Sequence, residues 1–319
     1  MKRIVELLLC LAALAAAAVP AAAAEKLRLG YLRSDLHHLA AWVAIEKGFF
    51  SDEGLDVEVA GIFNAGAEEM SAFASKSLDV GYLGMAPSVT GVANRAASVK
   101  AGALANAEGS AIVVRADSPA RTLKDLAGKT IAIPGYASVQ DFLIRRALEA
   151  AGLAPAAVTI IVIKPPEMLA ALETRQVEAF IAWEPHATKA VTKGIGRVLL
   201  RSSEIWKGHP CCVVAFEGAV AQGRPAAVQA FLKAHARATA FILADTDEAV
   251  RIGVHYTGMD EATVRAALGN ITYRAELERA PIREYASYLT RLGYIKETDP
   301  DALVREYVEA AGLIREPRP

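Results

Sequence analysis

Residues 79–88 read Asp-Val-Gly-Tyr-Leu-Gly-Met-Ala-Pro-Ser. A short apolar run reaches Gly84, and within four residues Pro87 and Ser88 mark the opening of a helix. Proline is tolerated in a first helical turn, and glycine lets the backbone turn tightly just before it. The opening amides of such a helix have no intrahelical partners. A strand running directly into a helix is half of a β/α unit, so the fold turns on whether this grammar repeats.

It repeats along most of the chain. Leu27–Tyr31 reads as a strand, and the apolar spacing from Leu36 to Phe50 predicts a helix ending near Gly48. Leu55–Val59 alternates as a half-buried strand does, Ala67–Ala74 is helical, and Val99–Ala105 and Ala111–Arg115 are strands. A second block follows: strand Lys129–Ile133, helix Ser138 to about Ala151, strand Val158–Ile163, helix Met168–Val177, and strand Ala179–Ala182 opening onto Trp183-Glu184-Pro185. After Val213–Phe216 the pattern turns almost wholly helical to Leu313. Alternating strands and helices predict an α/β protein with parallel sheets covered on both faces. Two such blocks and a helical tail predict two lobes, with the tail returning to the first.

The 319 residues suffice for two lobes with a substantial core. A net charge of −1, with no basic run longer than two residues, gives no basis for a nucleic-acid partner. The amino terminus has a basic start (Lys2, Arg3), an apolar stretch from Leu7 to Val19 and small residues Ala22–Ala24. This order predicts a signal peptide over residues 1–24, cleaved after Ala24, and therefore export. Beyond it the only cysteines are Cys211 and Cys212. Neighbours in sequence bridge only with strain, so no disulfide framework is expected, and the pair reads as two small buried apolar residues on a strand. In His209-Pro210-Cys211-Cys212 the potential ligands lack the spacing usual at zinc sites. Neither a metal nor a cofactor is expected.

In open parallel sheets, ligands bind beyond the carboxyl ends of the strands. Four strand-to-helix junctions qualify: Arg33–His38, Gly84–Ser88, Pro134–Gln140 and Trp183–His186. Each offers helix-opening amides and the positive end of a helix dipole. No nucleophile elbow, Walker loop or dinucleotide fingerprint is present. His37 and His38 fall at the first junction, but neighbours on a helix point about 100° apart, so at most one is expected in a shared site.

The stretches LGYLRSDLHHLAAWVAIEKGFFSDEGLDVEV (29–59), SLDVGYLGMAPSV (77–89), LAGKTIAIPGYASVQDFLIRRALEAAGL (126–153) and VEAFIAWEPHATKA (177–190) resemble the periplasmic solute-binding proteins of nitrate/sulfonate/taurine-type ABC importers. The resemblance implies a type II periplasmic-binding fold: two α/β lobes, a ligand cleft between them, and a helical C-terminal tail. Lobe one would comprise residues 25–107 plus 213–319 and lobe two residues 108–212. Crossings would fall near Asn106–Ser110 and Cys212–Phe216. Carried over position by position, the resemblance implies ligand contacts from Ser34, Asp35 and His37, from Gly84, Met85 and Ala86, from Asn106, from Tyr136, Ala137 and Ser138, and from Trp183 and Glu184. It further implies a monomeric periplasmic protein that delivers a small molecule to a permease and its ATPase. An enzyme on the same fold, of the pyrimidine or menaquinone-precursor type, and a periplasmic sensor are the alternative readings. One departure bears on the ligand. Sulfonate-type sites commonly place a serine directly after the turn glycine, where this chain has Tyr136, and Asp35, Asp141 and Glu184 add negative charge nearby. A ligand carrying an amine, an aromatic ring or both is therefore expected over a bare inorganic anion.

Overall fold

The structure, a computed structural model, describes residues 24–296, 298–309 and 312–315. The predicted signal peptide lies outside them except for Ala24. Among the described residues no helix is long and apolar enough to cross a membrane.

Among the described residues, eleven strands follow in chain order: β1 (Glu25–Leu32), β2 (Leu55–Phe63), β3 (Val80–Gly84), β4 (Val99–Glu108), β5 (Ser110–Arg115), β6 (Thr130–Ile133), β7 (Thr159–Val162), β8 (Ala179–Trp183), β9 (Gly196–Arg201), β10 (Pro210–Glu217) and β11 (Ile271–Thr272). They form two sheets, of order β11-β4-β10-β3-β1-β2 and β7-β6-β8-β5-β9. β1 pairs in parallel with β2 and β3, and β6 in parallel with β7 and β8, as the alternating pattern requires. β10 is antiparallel to both β3 and β4, and β5 to both β8 and β9. Every residue of β3 is buried, whereas β2, at a sheet edge, is mostly exposed or half-buried. A central strand faces helices on both sides; an edge strand does not.

The chain passes between the sheets twice. β4 runs into β5 through Gly109, whose φ of +83° lies in the region that glycine tolerates. The return follows β9, a single helical turn at Ser202–Ile205, and residues 206–209. The two crossings are joined where Glu108 N–H donates to His209 O at 3.0 Å and Gly208 N–H to Glu108 Oε1 at 2.7 Å. This corrects the expected return near Cys212–Phe216. Those residues pair with Gly84–Val80 in the first sheet, so the crossing ends before Pro210.

Three further differences have physical causes. The helix expected from Leu36 ends near Gly48, whose φ is +69°, as read, but its first turn, Leu36–His38, is 3-10 before the helix Leu39–Glu46, and a short turn (Phe49–Asp52) follows. β9 and β11 have no counterpart in the sequence reading. β9 is a half-buried edge strand, and β11 is two residues long and ordered by its pairing with β4. The tail does not return only to the first sheet. Tyr285 and Tyr288, on the helix Arg279–Arg291, pack on Phe142 of the helix Val139–Ala150, which belongs to the second sheet's unit.

The first core is organised around Phe231, which packs against Phe50, Tyr82 and Phe216. Beside it the buried His235 accepts from Tyr82 Oη at Nδ1 (2.8 Å) and donates from Nε2 to Leu104 O (2.9 Å). A carbonyl only accepts, which fixes this tautomer. We expect Phe231→Ala to cost about 3–5 kcal/mol in urea denaturation, since the surrounding rings can collapse only partly. Burial lowers the His235 pKa from 6.5 to about 4, so the fold holds a neutral imidazole that the unfolded chain protonates below about 6.5. Stability contributed by this residue is present at neutral pH and lost as pH falls from about 6.5 to about 4. In His235→Gln, the decline of melting temperature over that window should become shallower.

Candidate functional site

The carboxyl ends of β1, β3, β6 and β8 converge where the two crossings meet, enclosing a cavity of about 20 Å³. The first sheet's unit lines it with Leu32, Asp35, His37, Ala65, Gly66, Gly84 and Pro87; the second with Pro134, Ser138, Val139, Gln140 and Trp183; the start of β10 adds Cys211 and Cys212. Of the residues expected from sequence, Asp35, His37, Gly84, Ser138 and Trp183 meet at this cavity. The others do not line it. Ser34 donates to Thr257 O, and Met85 and Ala86 are buried in the first turn behind Gly84. Asn106 accepts from Cys212 N–H and donates to Glu108 O. Tyr136 is 55% exposed and turns its hydroxyl toward Ile160 O. Ala137 N–H is held by Asp141. Glu184 is buried but turned to the tail, accepting from Thr188 and Asn270.

The amides at three of the four junctions have protein partners. Asp35 Oδ1 accepts from His37 N–H at 3.0 Å. Ser138 Oγ accepts from Asp141 N–H at 3.1 Å, and Asp141 Oδ2 from Ala137 N–H at 2.9 Å. Glu184 Oε2 accepts from Thr188 N–H at 3.0 Å. These are ordinary side-chain caps. The helix Met85–Ala93 differs: no side chain caps its start at Gly84. Across the cavity, the buried Trp183 has an indole N–H without a hydrogen-bond partner among the described residues. A buried donor left unpaired is costly. Together these two features favour an acceptor group between the sheets.

Around this point lies a dense cluster of buried titratable groups. His37 Nδ1 is 3.4 Å from Cys211 Sγ, 3.7 Å from Cys212 Sγ and 3.4 Å from Asp35 Oδ1. Burial alone would lower the His37 imidazole, but the facing Cys211 thiolate and Asp35 carboxylate outweigh it and raise its pKa to about 9. Burial lifts the Asp35 carboxyl to about 7, against the pull of His37. Burial would also raise Cys211, yet its hydrogen bond from Cys212 and the charge on His37 bring it well below the usual thiol range. Cys212 is pushed the other way, by burial and by its neighbour. His38 takes a structural part: its Nδ1 accepts from Leu32 N–H at 3.1 Å. The fully buried carboxyl of Glu69 has no hydrogen-bond partner among the described residues, its pKa is raised well above normal by burial, and it packs against Gly81, where a Cβ would lie 2.3 Å from Oε1.

Sequence reading placed Gln140 at the end of the third junction without assigning it a contact, missed the Ala65-Gly66 turn, and took the cysteines for inert packing. Ala65-Gly66 follows β2 directly, so the rule that selected the other junctions could have selected it. The partner of Gln140 carries no such signal. The place of Gln140 comes from the helix turn beyond Ser138, which aims Nε2 at Ser110 Oγ, 3.0 Å away at the first crossing.

Known proteins of this architecture give the comparison its content. The chain is 28% identical over 247 residues to a protein of Brucella abortus named as a binding protein, spanning 76% of this chain and 75% of that one. It is 28% identical over 173 residues to the taurine-binding periplasmic protein of Escherichia coli, 54% of this chain and 53% of that one. The fold matches the periplasmic nitrate-binding protein of Synechocystis with a TM-score of 0.79 at 20% identity, over 89% of this chain and 86% of that one. The two-sheet architecture is thus that of periplasmic binding proteins. The NMT1-like family model matches residues 21–253, and the chain is a member of the NMT1-like family.

Proposed function

We propose that this protein is the solute-binding component of an ABC importer, exported to the periplasm, and that it binds its solute rather than transforming it. The observation that carries the reading is the meeting, in one cavity, of an uncapped helix start at Gly84 and an unpartnered buried indole N–H at Trp183, each from a different sheet. Two such donors lining one cavity beside a pair of hinge-like crossings suit capture of an oxygen-bearing solute followed by closure. The names of the relatives, binding proteins for taurine among them, support the same reading.

The volume of about 20 Å³ has a consequence. It holds about one water molecule and no organic solute. Entry therefore requires the two sheets to part, with the closing contacts then re-forming around the ligand. The solute class we favour is a small zwitterion of the taurine type. Its sulfonate oxygens would take the Gly84 amides and the Trp183 N–H, and its ammonium would face Asp35, the carboxyl that lines the cavity. Nitrate or sulfate would offset none of that negative charge.

A thermal-shift series on residues 25–319 tests this. Taurine and short alkanesulfonates at a hundred times their Kd should stabilise by about 2.7 kcal/mol, a rise of several degrees. A saturable response to nitrate or sulfate, with none to taurine or the sulfonates, would overturn the assignment of solute class. Closure has its own test. A Cβ on Gly84 would lie 3.1 Å from Pro87 Cδ and 3.2 Å from Val139 Cγ2 of the opposite unit. Overpacking of this kind costs about 1–3 kcal/mol, so Gly84→Ala should weaken solute binding roughly ten- to hundredfold and enlarge the radius of gyration in solute-saturated scattering. An unchanged affinity would show that Gly84 does not lie at the closing surface.

A further inference from the structure

We propose that His37, Cys211 and Cys212 form a site for one thiophilic d10 metal ion, of the Zn²⁺ or Cu⁺ class, at the base of the cavity. The inference is independent of the solute reading, since it concerns an ion held by this chain's own side chains.

The first support is the triangle of ligand atoms. The two sulfurs are 3.9 Å apart, and His37 Nδ1 lies 3.4 Å from Cys211 Sγ and 3.7 Å from Cys212 Sγ. A tetrahedral zinc ion with Zn–S near 2.3 Å and Zn–N near 2.0–2.1 Å has edges of about 3.8 Å between sulfurs and about 3.6 Å between sulfur and nitrogen. The three edges found here match those of one face of that tetrahedron to within about 0.2 Å. A disulfide, by contrast, needs the sulfurs at about 2.05 Å.

The second support is how the two thiols come to face one way. Successive side chains on a regular strand point to opposite faces. At Pro210–Val213 the pairing of β10 with β4 shifts register twice, and Asn106 Oδ1 takes the Cys212 N–H at 3.2 Å. Bulges of this kind re-aim side chains. Here the irregularity turns neighbouring cysteines toward one imidazole. Adjacency, which counted against a metal site when only sequence spacing was considered, is thereby removed as an objection.

The third is the imidazole's orientation. His37 Nε2 lies 2.9 Å from Gly109 O, an acceptor only, so Nε2 carries a hydrogen and Nδ1 is the nitrogen turned to the sulfurs, where an incoming ion would displace its proton. Metal-bound histidines are held in this way, with the far nitrogen donating to a carbonyl or carboxylate. The fourth corner is left to a donor from the cavity. Two sulfurs and one imidazole select a soft or borderline ion over Mg²⁺ or Ca²⁺. The cavity of about 20 Å³ admits a bare ion without the sheets parting.

The test is a Co²⁺ titration of reduced, chelator-stripped protein (residues 25–319) under anaerobic conditions. One equivalent should give a thiolate-to-cobalt charge-transfer band with intense tetrahedral d–d bands, both abolished by stoichiometric Zn²⁺. Cys211→Ser and Cys212→Ser should each lose the charge-transfer intensity in part, and the double variant entirely. Circular dichroism and the melting temperature establish that each variant is folded, and the wild-type melting temperature should rise with Zn²⁺. Absence of charge transfer in folded wild-type protein whose two thiols titrate as free would overturn the site. So would a band that survives in the double variant. Loss of the taurine response with the cobalt bands intact would instead count against the solute reading alone.

Discussion

The carbonyl of Gly109 holds the centre of the molecule together. It accepts from His37 Nε2 at 2.9 Å and from the Glu184 N–H at 2.9 Å, and Glu184 O in turn accepts from the Leu36 N–H at 3.1 Å. One peptide group at the first crossing thus ties the loop after β1 to the end of β8. A side chain at 109 is excluded twice: its φ of +83° is left-handed, and a Cβ would lie 2.3 Å from His37 Nε2. The positions of His37, Asp35, Trp183 and the start of β10 relative to one another follow from this constraint.

The same constraint explains why so many ionisable groups are buried together. Asp35, His37, His38, Glu69, Cys211 and Cys212 are all nearly or fully inaccessible. Charges in such surroundings are expensive unless paired. The chain meets the cost in two ways. Glu69 is held as a neutral acid by burial, while Asp35, His37 and Cys211 face one another so that opposite charges offset desolvation. A cluster of this composition contributes little to stability that apolar residues could not supply, so its presence at the cavity is better explained by ligand chemistry than by folding.

The tail has a part that its helical pattern does not reveal. Asn270 reaches Glu184 at 2.8 Å, Tyr294 reaches Asp141 at 2.5 Å, and Thr192 meets Thr263 at 2.8 Å. Each contact joins the tail to the second sheet's unit across the cleft. Any parting of the sheets must break or stretch these bonds, so the tail sets part of the free energy of opening. The aromatic packing of Phe142 on Tyr285 and Tyr288 adds to it.

Most strands and the parallel pairing were legible because they depend on short-range periodicity. Alternation in Leu55–Val59, the uninterrupted apolar run before Gly84 and the helix start at Ser138 are local facts, and β2, β3 and the Ser138 cap appear accordingly. The four junctions were legible for the same reason, and so were five residues of the cavity wall. Position along a strand said nothing about the return crossing, β11 or the contact of Gln140 with Ser110, because these depend on partners tens or hundreds of residues away. Nor could it show which amides Asp35, Asp141 and Glu184 take, or that no side chain caps the helix starting at Gly84. The sequence by itself determined the α/β class and where strands hand over to helices, since both follow from side-chain periods of two and 3.6 residues. Only the tertiary structure decided that neighbouring cysteines face one histidine, because a register shift against β4 and one left-handed glycine set those directions, and neither is written in local spacing.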